Sequence, residues 1–344
     1  MTERLVSWRG LLAGTGTPLV RDGVPSFLGV PVARTAGDLR SADVALVGIP
    51  SGAQASPGRR PGQWADYGRA PADTRRFSLR YGGYLPELDL DVFEHARLVD
   101  YGDAEIVPDD VPRSLAAVDR KLRDALDAGC RVLTLGGCVP HASYGVVTAL
   151  ARATTGPVGV LSLDAHGDCV DTVWGRPGTH ELGAGTWQAR MWEDCPSIDP
   201  TRHAEIGMRG PRNLREMVEH YRRRRAHVFP MAEVRRRGMP AVIAEALPRV
   251  FTGSARTWFS LDMDVLDVGV LPGWGDEPIG ITAWDLIHAV HAAGQAGIDV
   301  FSFQFVAPES PSAAALVSYA AVYLLAGWIT GGRLRGGTAR ETPG

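Results

Sequence analysis

Apolar positions along the chain follow two periods in alternation. Short apolar runs near 42–50, 98–103, 131–136, 158–164, 204–208, 227–230, 257–263 and 299–306 predict strands. Longer segments near 70–80, 113–128, 143–154, 212–225, 239–250, 282–293 and 311–328 predict helices. Within 113–128, Leu115, Val118, Leu122 and Leu126 recur at roughly helical spacing. The run Val158-Gly159-Val160-Leu161 shows no polar alternation, which suits a strand covered on both faces. Strand and helix alternating in this way predict an α/β fold, a mostly parallel sheet between helical layers.

Composition narrows the picture. The chain has 344 residues, 45% hydrophobic and 22% charged, enough for one large α/β domain or two small ones. No linker splits it. We therefore expect an N-terminal extension over 1–41 lying on the core, one domain over 42–332, and a flexible tail over 333–344. The 41 glycines and 24 prolines are spread out, so they signal many loops rather than disorder. The loop over 51–68 is long enough to suggest function.

A formal net charge of −3 disfavours a nucleic-acid partner. No signal peptide or run of apolar residues long enough for a membrane span is evident. Residues 313–329 contain Ser318, Tyr319 and Tyr323 and read as a buried helix, so no membrane is expected. Four cysteines without a CxxC pair give no disulfide framework, and a cytoplasmic setting is the expectation.

Two predicted strands end in acid-rich sequence, and sites in open α/β sheets form at the carboxyl ends of strands. One is Leu161-Ser162-Leu163-Asp164-Ala165-His166-Gly167-Asp168; the other is Phe259-Ser260-Leu261-Asp262-Met263-Asp264-Val265-Leu266-Asp267. Alternation along a strand puts Asp164 with His166, and Asp262 with Asp264, on shared faces. Asp168 joins them if the chain stays extended. Crowded carboxylates resist ionisation unless a cation compensates. The pattern points to a divalent metal site, one ion or two. Hard oxygens mixed with histidine suit Mn²⁺ best, with Fe, Co, Ni and Zn also compatible.

These residues carry a resemblance. Asp164-Ala165-His166-Gly167-Asp168 resembles the DAHxD motif of the ureohydrolase family, arginase, agmatinase and their relatives. The segment Ser260 to Asp267 resembles that family's SxDxDxxD motif, and the likeness extends over about residues 42–330. It implies a three-layer α/β/α fold with a central, mostly parallel eight-stranded sheet, assembled as a homo-oligomer (trimer or hexamer). It implies hydrolysis of a guanidino or amidino C–N bond, with two Mn²⁺ ions sharing a water that attacks as hydroxide. By the same motifs, Asp164 and Asp262 would bridge the ions. Asp168 would bind the first ion and orient the hydroxide, and His166 and Asp264 would bind the second. His180 would protonate the leaving amine, although Glu181 follows it where the family usually has glycine.

The chain also departs from the family. Where the family has Gly-Gly-Asp-His-Ser, with the histidine on the first metal, this chain reads Gly136-Gly137-Cys138-Val139-Pro140-His141. His141 is the candidate replacement ligand and Cys138 the alternative. On the last strand the family's guanidinium-binding glutamate is missing. Phe305 or Gln304 takes its place, and neither carries a charge, which hints at a less basic or differently shaped substrate. Glu277 and Trp274, in a shortened glycine-rich loop, are the other substrate-binding candidates. Two alternatives to a guanidino hydrolase stay open. One is a catalytically weak or inactive homologue acting by binding. The other is an enzyme for a modified guanidine or another C–N substrate in specialised metabolism.

Overall fold

The computed structural model describes residues 17–52, 67–107, 110–138, 141–173, 175–271 and 277–335. Its centre is one eight-stranded sheet. The strands are β1 (Val44–Ile49), β2 (Leu98–Asp103), β3 (Arg131–Gly136), β4 (Val158–Leu163), β5 (Ile198–Ile206), β6 (His227–Phe229), β7 (Arg256–Asp262) and β8 (Val300–Gln304). Every pairing in it is parallel, in the order β6-β5-β4-β7-β8-β3-β1-β2.

Helices cover both faces. They are α1 (Ala70–Ser78), α2 (Val111–Asp127), α3 (Tyr144–Arg152), α4 (Trp187–Asp194), α5 (Arg215–Arg224), α6 (Met231–Arg237), α7 (Met239–Phe251), α8 (Ala283–Ala296) and α9 (Pro311–Thr330). Helices α1, α7, α8 and α9 pack together on one side, and α2, α3 and α4 on the other. The expected three-layer arrangement is therefore observed. Helix α9 is long and apolar enough to cross a membrane, yet 72% of its apolar window is buried inside the protein, mainly against α8.

Local chemistry sets the helix ends. The Asp110 carboxylate accepts from Arg113 N at 3.0 Å, and Pro112 sits in the first turn of α2. Thr282 and Asp285 form a reciprocal capping box on α8, which stops at Gly297 with φ 99°.

Helices α4 and α6 lie where the apolar pattern predicted none, and β5 starts at Ile198 rather than near 204. In α4, Gln188 and Arg190 are buried beside Trp187 and Met191, so its inward face is half polar. In α6 only Met231 and Val234 are buried, too few to establish a period.

The strands alternate between two cores. Leu133, Leu135, Leu161, Leu163, Phe259, Leu261, Phe301 and Phe303 face one helical layer. On the opposite face Thr134, Ser302, Ser260 and Ser162 stand side by side in register on β3, β8, β7 and β4, all buried. Thr134 donates to Ser302 Oγ at 2.8 Å, and Trp258 Nε1 donates to the same oxygen at 2.8 Å. This face continues upward into the acidic strand ends.

At the opposite edge, Arg75 of α1 is fully buried and grips β2. Its Nε and Nη2 donate to the two oxygens of Asp100 at 2.8 and 2.9 Å, and its Nη1 donates to Asp103 at 2.6 Å. Asp100 also accepts from Phe27 N at 2.9 Å, so the segment before β1 is tied to the same pair. Removing one partner leaves the other as an uncompensated buried charge. Arg75→Ala should lose about 3–5 kcal/mol of stability, read by urea or thermal unfolding.

Candidate metal centre

The chain turns sharply where β4 and β7 end, and the acids make those turns. Asp164 Oδ1 accepts from His166 N at 2.6 Å, and Asp262 Oδ1 accepts from Asp264 N at 2.9 Å. Each first aspartate thus closes a turn over the second ligand candidate in its motif. Ala165 N donates to Asp264 Oδ1 at 3.2 Å and stitches the two turns together.

The result is a compact donor set. His166 Nδ1 lies 2.9 Å from Asp264 Oδ2 and 3.7 Å from Asp164 Oδ1. Asp164, His166 and Asp264 each offer a ligand atom within 4.8 Å of the others. Hard oxygens around one imidazole fit a manganese-type ion. Asp262 is buried beside them, with its carboxylate on Asp264 N. Asp168 is buried at φ 40°, and Trp187 Nε1 donates to its Oδ2 at 2.9 Å.

The electrostatics reflect crowding. Burial, then the neighbouring aspartates, hold the Asp164 carboxyl well above the usual range, and burial first does the same to Asp262. Burial pushes Asp168 up to about 7 despite the nearby His166. Asp264 goes the other way: burial pushes it up, but the hydrogen bond and charge of His166, the Ala165 N–H and Arg209 together hold it low. Burial disfavours the charged His166, but the hydrogen bond and charge of Asp264, together with Asp168, raise it to about 9. The site holds protons that a cation would replace.

The other predicted residues fall in different places. His141 is buried after β3, and among the described residues neither ring nitrogen has a hydrogen-bond partner. Burial lowers it to about 4, so it is neutral and able to ligate near pH 7. Among the described residues, neither His141 nor Cys138 joins the Asp164–His166–Asp264 group. His180 is more than half exposed at φ 50°, with its Nε2 3.0 Å from Asp194 Oδ1. Asp194 in turn accepts from Tyr144 Oη at 2.7 Å.

Two of the substrate-binding candidates have partners within the protein. Gln304 is 1% exposed; it accepts from Ser143 at 2.5 Å and donates to Ser260 at 2.6 Å, so its amide is spent inside the sheet layer. Glu277 is buried, with Oε1 3.3 Å from His166 Nε2 and 3.5 Å from Arg212 Nη1. It faces the imidazole rather than standing alone as an anchor. Trp274 lies outside the described residues. Phe305 sits at φ 51° with its ring edge-on to Tyr67 at 5.1 Å.

Several residues that matter here escaped the motif reading. Asn213, the only asparagine in the chain, accepts from Gly167 N at 3.0 Å and donates to Ala165 O at 2.8 Å, bracing the first acidic turn. Arg209 donates to Asp264 O, Glu277 O and Pro278 O at 2.9 to 3.0 Å and binds the second turn to the following loop. A side chain at Gly207, φ 111°, would strike Val265 and the Asp164 carbonyl; one at Gly210, φ 77°, would meet the Glu277 carboxylate. The rarity of asparagine was the one signal that could have drawn attention to Asn213.

Comparison with known proteins agrees with this geometry. The Arginase family model matches residues 42–326. The guanidinopropionase of Pseudomonas aeruginosa is 30% identical over 286 residues, covering 81% of this chain and 83% of that protein. The mitochondrial agmatinase of Gallus gallus is 27% identical over 288 residues, covering 83% of this chain and 78% of that protein. The crystal structure of Trypanosoma cruzi formiminoglutamase with Mn²⁺ superposes with a TM-score of 0.74 at 23% identity, covering 89% of this chain and 98% of that one.

Because His166, Asp168, Asp164 and Asp262 are all raised, binding of a divalent cation there should expel protons. Affinity should therefore rise between about pH 6 and pH 9, through the values near 7 for Asp168 and near 9 for His166. Calorimetry in buffers of different ionisation enthalpy should show net proton release. An affinity that stays flat across that range would contradict the charge arrangement.

Proposed function

The chain belongs to the arginase family, and from that premise we propose that it is a metal-dependent hydrolase of guanidino or amidino C–N bonds. The observation that carries this is the Asp164–His166–Asp264 donor set at the ends of β4 and β7. Cations bound there supply Lewis acidity and a water acidified to near-neutral pH.

We assign Mn²⁺ as the metal, with two ions held between the two turns. Asp164, Asp262, His166 and Asp264 would hold one ion. Asp168 and His141, with Asp164 and Asp262, would hold the other, a role supported by the two His141 nitrogens that have no hydrogen-bond partner among the described residues. Cys138 remains the alternative ligand if His141 does not engage. Asp168, held by Trp187 Nε1, orients the water. The reaction then needs a proton for the departing amine. His180 supplies it, with Asp194 steadying the ring at 3.0 Å.

Glu277 acts through His166. A carboxylate on the far imidazole nitrogen fixes the tautomer, so that Nδ1 turns towards Asp164 and Asp264. We read the protein as a cytoplasmic homo-oligomer. All four cysteines are buried and none forms a disulfide among the described residues, as a reducing compartment allows.

A specific observation favours a modified guanidine or another C–N substrate as the second reading. Gln304 is held inside the layer and Phe305 packs its ring edge-on to Tyr67, so neither residue offers a charge at the end of β8 to grip a guanidinium. A panel of guanidino and amidino compounds, with urea, ammonia and amine products identified by mass spectrometry, separates the two. Release of any of these products also decides against a role confined to binding.

Asp264→Ala should abolish turnover and remove at least one equivalent of bound manganese. Normal turnover in that variant would refute the assignment. Glu277→Ala should weaken manganese binding about 10- to 100-fold, read by calorimetry, because the imidazole loses its orienting partner.

A further inference from the structure

One residue, Gly167, separates the candidate ligands His166 and Asp168, and both of its peptide groups are held from α5 and the loop before it. Its N–H donates to Asn213 Oδ1 at 3.0 Å, and its carbonyl accepts from the Tyr221 hydroxyl at 3.0 Å. A side chain at Gly167 would meet Met208 and Met217, so the segment lies close against α5. Asp168 follows at φ 40°, in the left-handed region, which residues other than glycine keep where the surroundings hold them there.

Three bonds do the holding. The Asp168 carbonyl accepts from Gln188 N at 3.0 Å, and its Oδ2 accepts from Trp187 Nε1 at 2.9 Å. Both donors belong to the first turn of α4. The peptide that enters Asp168 is tied to α5 instead, through Gly167 O and Tyr221.

Tyr221 is fully buried, with its ring edge-on to Trp192 at 5.2 Å and 5.6 Å from His203. Its hydroxyl also lies 3.1 Å from Glu205 Oε2 and bonds Gln188 Oε1. One proton therefore faces three acceptors. Glu205 and Gln188 also meet each other, since Gln188 Nε2 donates to Glu205 Oε2 at 3.1 Å. Glu205 in turn stands on β5 opposite Ser162 of β4, two residues before Asp164. The hydroxyl thus joins α4, α5, the sheet and the first acidic turn at one buried point. Phenylalanine would fill the same space, so packing alone does not call for the oxygen.

We infer that Tyr221 is a positioning residue for the metal centre, fixing through Gly167 O the peptide that aims Asp168. This rests on the two-ion assignment above and adds a residue that acts on one position and not on the other. The ion held by Asp168 depends on Tyr221. The ion held by His166 and Asp264 does not, because other groups set His166: its N–H bonds Asp164, its ring meets Asp264 and Glu277, and Asn213 holds Ala165 O before it.

Calorimetric titration of the metal-free protein with Mn²⁺ tests this on wild type, Asp168→Ala, His166→Ala and Tyr221→Phe. The two ligand variants mark the binding step to which each ligand belongs. Tyr221→Phe should weaken the step that Asp168→Ala removes by about 10-fold, as loss of a hydrogen bond behind a ligand does. It should leave the step that His166→Ala removes unchanged. Asp110→Ala, which strips the cap of α2, serves as the comparison for stability: it should lower the urea midpoint and alter neither step. Equal affinities in wild type and Tyr221→Phe, or equal weakening of both steps, overturn the inference. So does manganese binding that survives Asp168→Ala intact, or a single step lost in both ligand variants. A wild type that takes up no manganese overturns the metal reading itself, and the inference with it.

Discussion

The constraint on which the centre depends is the mutual repulsion of buried carboxylates. Asp164, Asp168 and Asp262 are all buried at two neighbouring strand ends, Asp264 is close by, and Glu205 on β5 adds negative charge from behind. Such a group persists only if something positive answers it. Part of the answer is built in. Backbone N–H groups at His166, Asp264 and Ala165 each point at an aspartate, and the His166 ring pairs with Asp264. A bound cation would supply the remainder. The bonds that shape the turns thus also aim the candidate ligands.

The surrounding architecture serves that arrangement. Close approach of the β5–α5 loop to the end of β4 requires glycine at 207, where a side chain would strike the Asp164 carbonyl. Arg209 and Asn213 then fasten this loop to both acidic turns through carbonyl oxygens, which spends their donors on structure. Beneath, the hydroxyls of Thr134, Ser302, Ser260 and Ser162 give one sheet face a thin polar layer. Gln304 joins that layer through Ser260.

Much of this was legible in the chain, with gaps that have physical causes. Apolar runs located the eight strands of the central sheet, because these are buried on both faces, and period-3.6 patterns located most helices, which bury one apolar face. The pattern failed at α4, whose inward face includes Gln188 and Arg190. Those residues are buried because Tyr221, Glu205, Glu181 and Asp171 reach them from distant parts of the chain. Gln304 and Glu277 were expected to meet substrate for their chemistry alone. Their partners within the protein, Ser143, Ser260, His166 and Arg212, lie far along the sequence, so no local pattern could announce them.

The sequence by itself determined the α/β class, the two acidic strand ends and the kinship with ureohydrolases. Alternation within one strand is local, so Asp164 with His166 and Asp262 with Asp264 could be paired on paper. Only the tertiary structure decided which strands are neighbours. Pairing of β4 with β7 brings Asp164 and His166 to Asp264, and the loop after β5 brings Arg212 and Asn213 to the same place. Residues a hundred positions apart meet because sheet order sets their distance, and sheet order is a property of the whole packed chain.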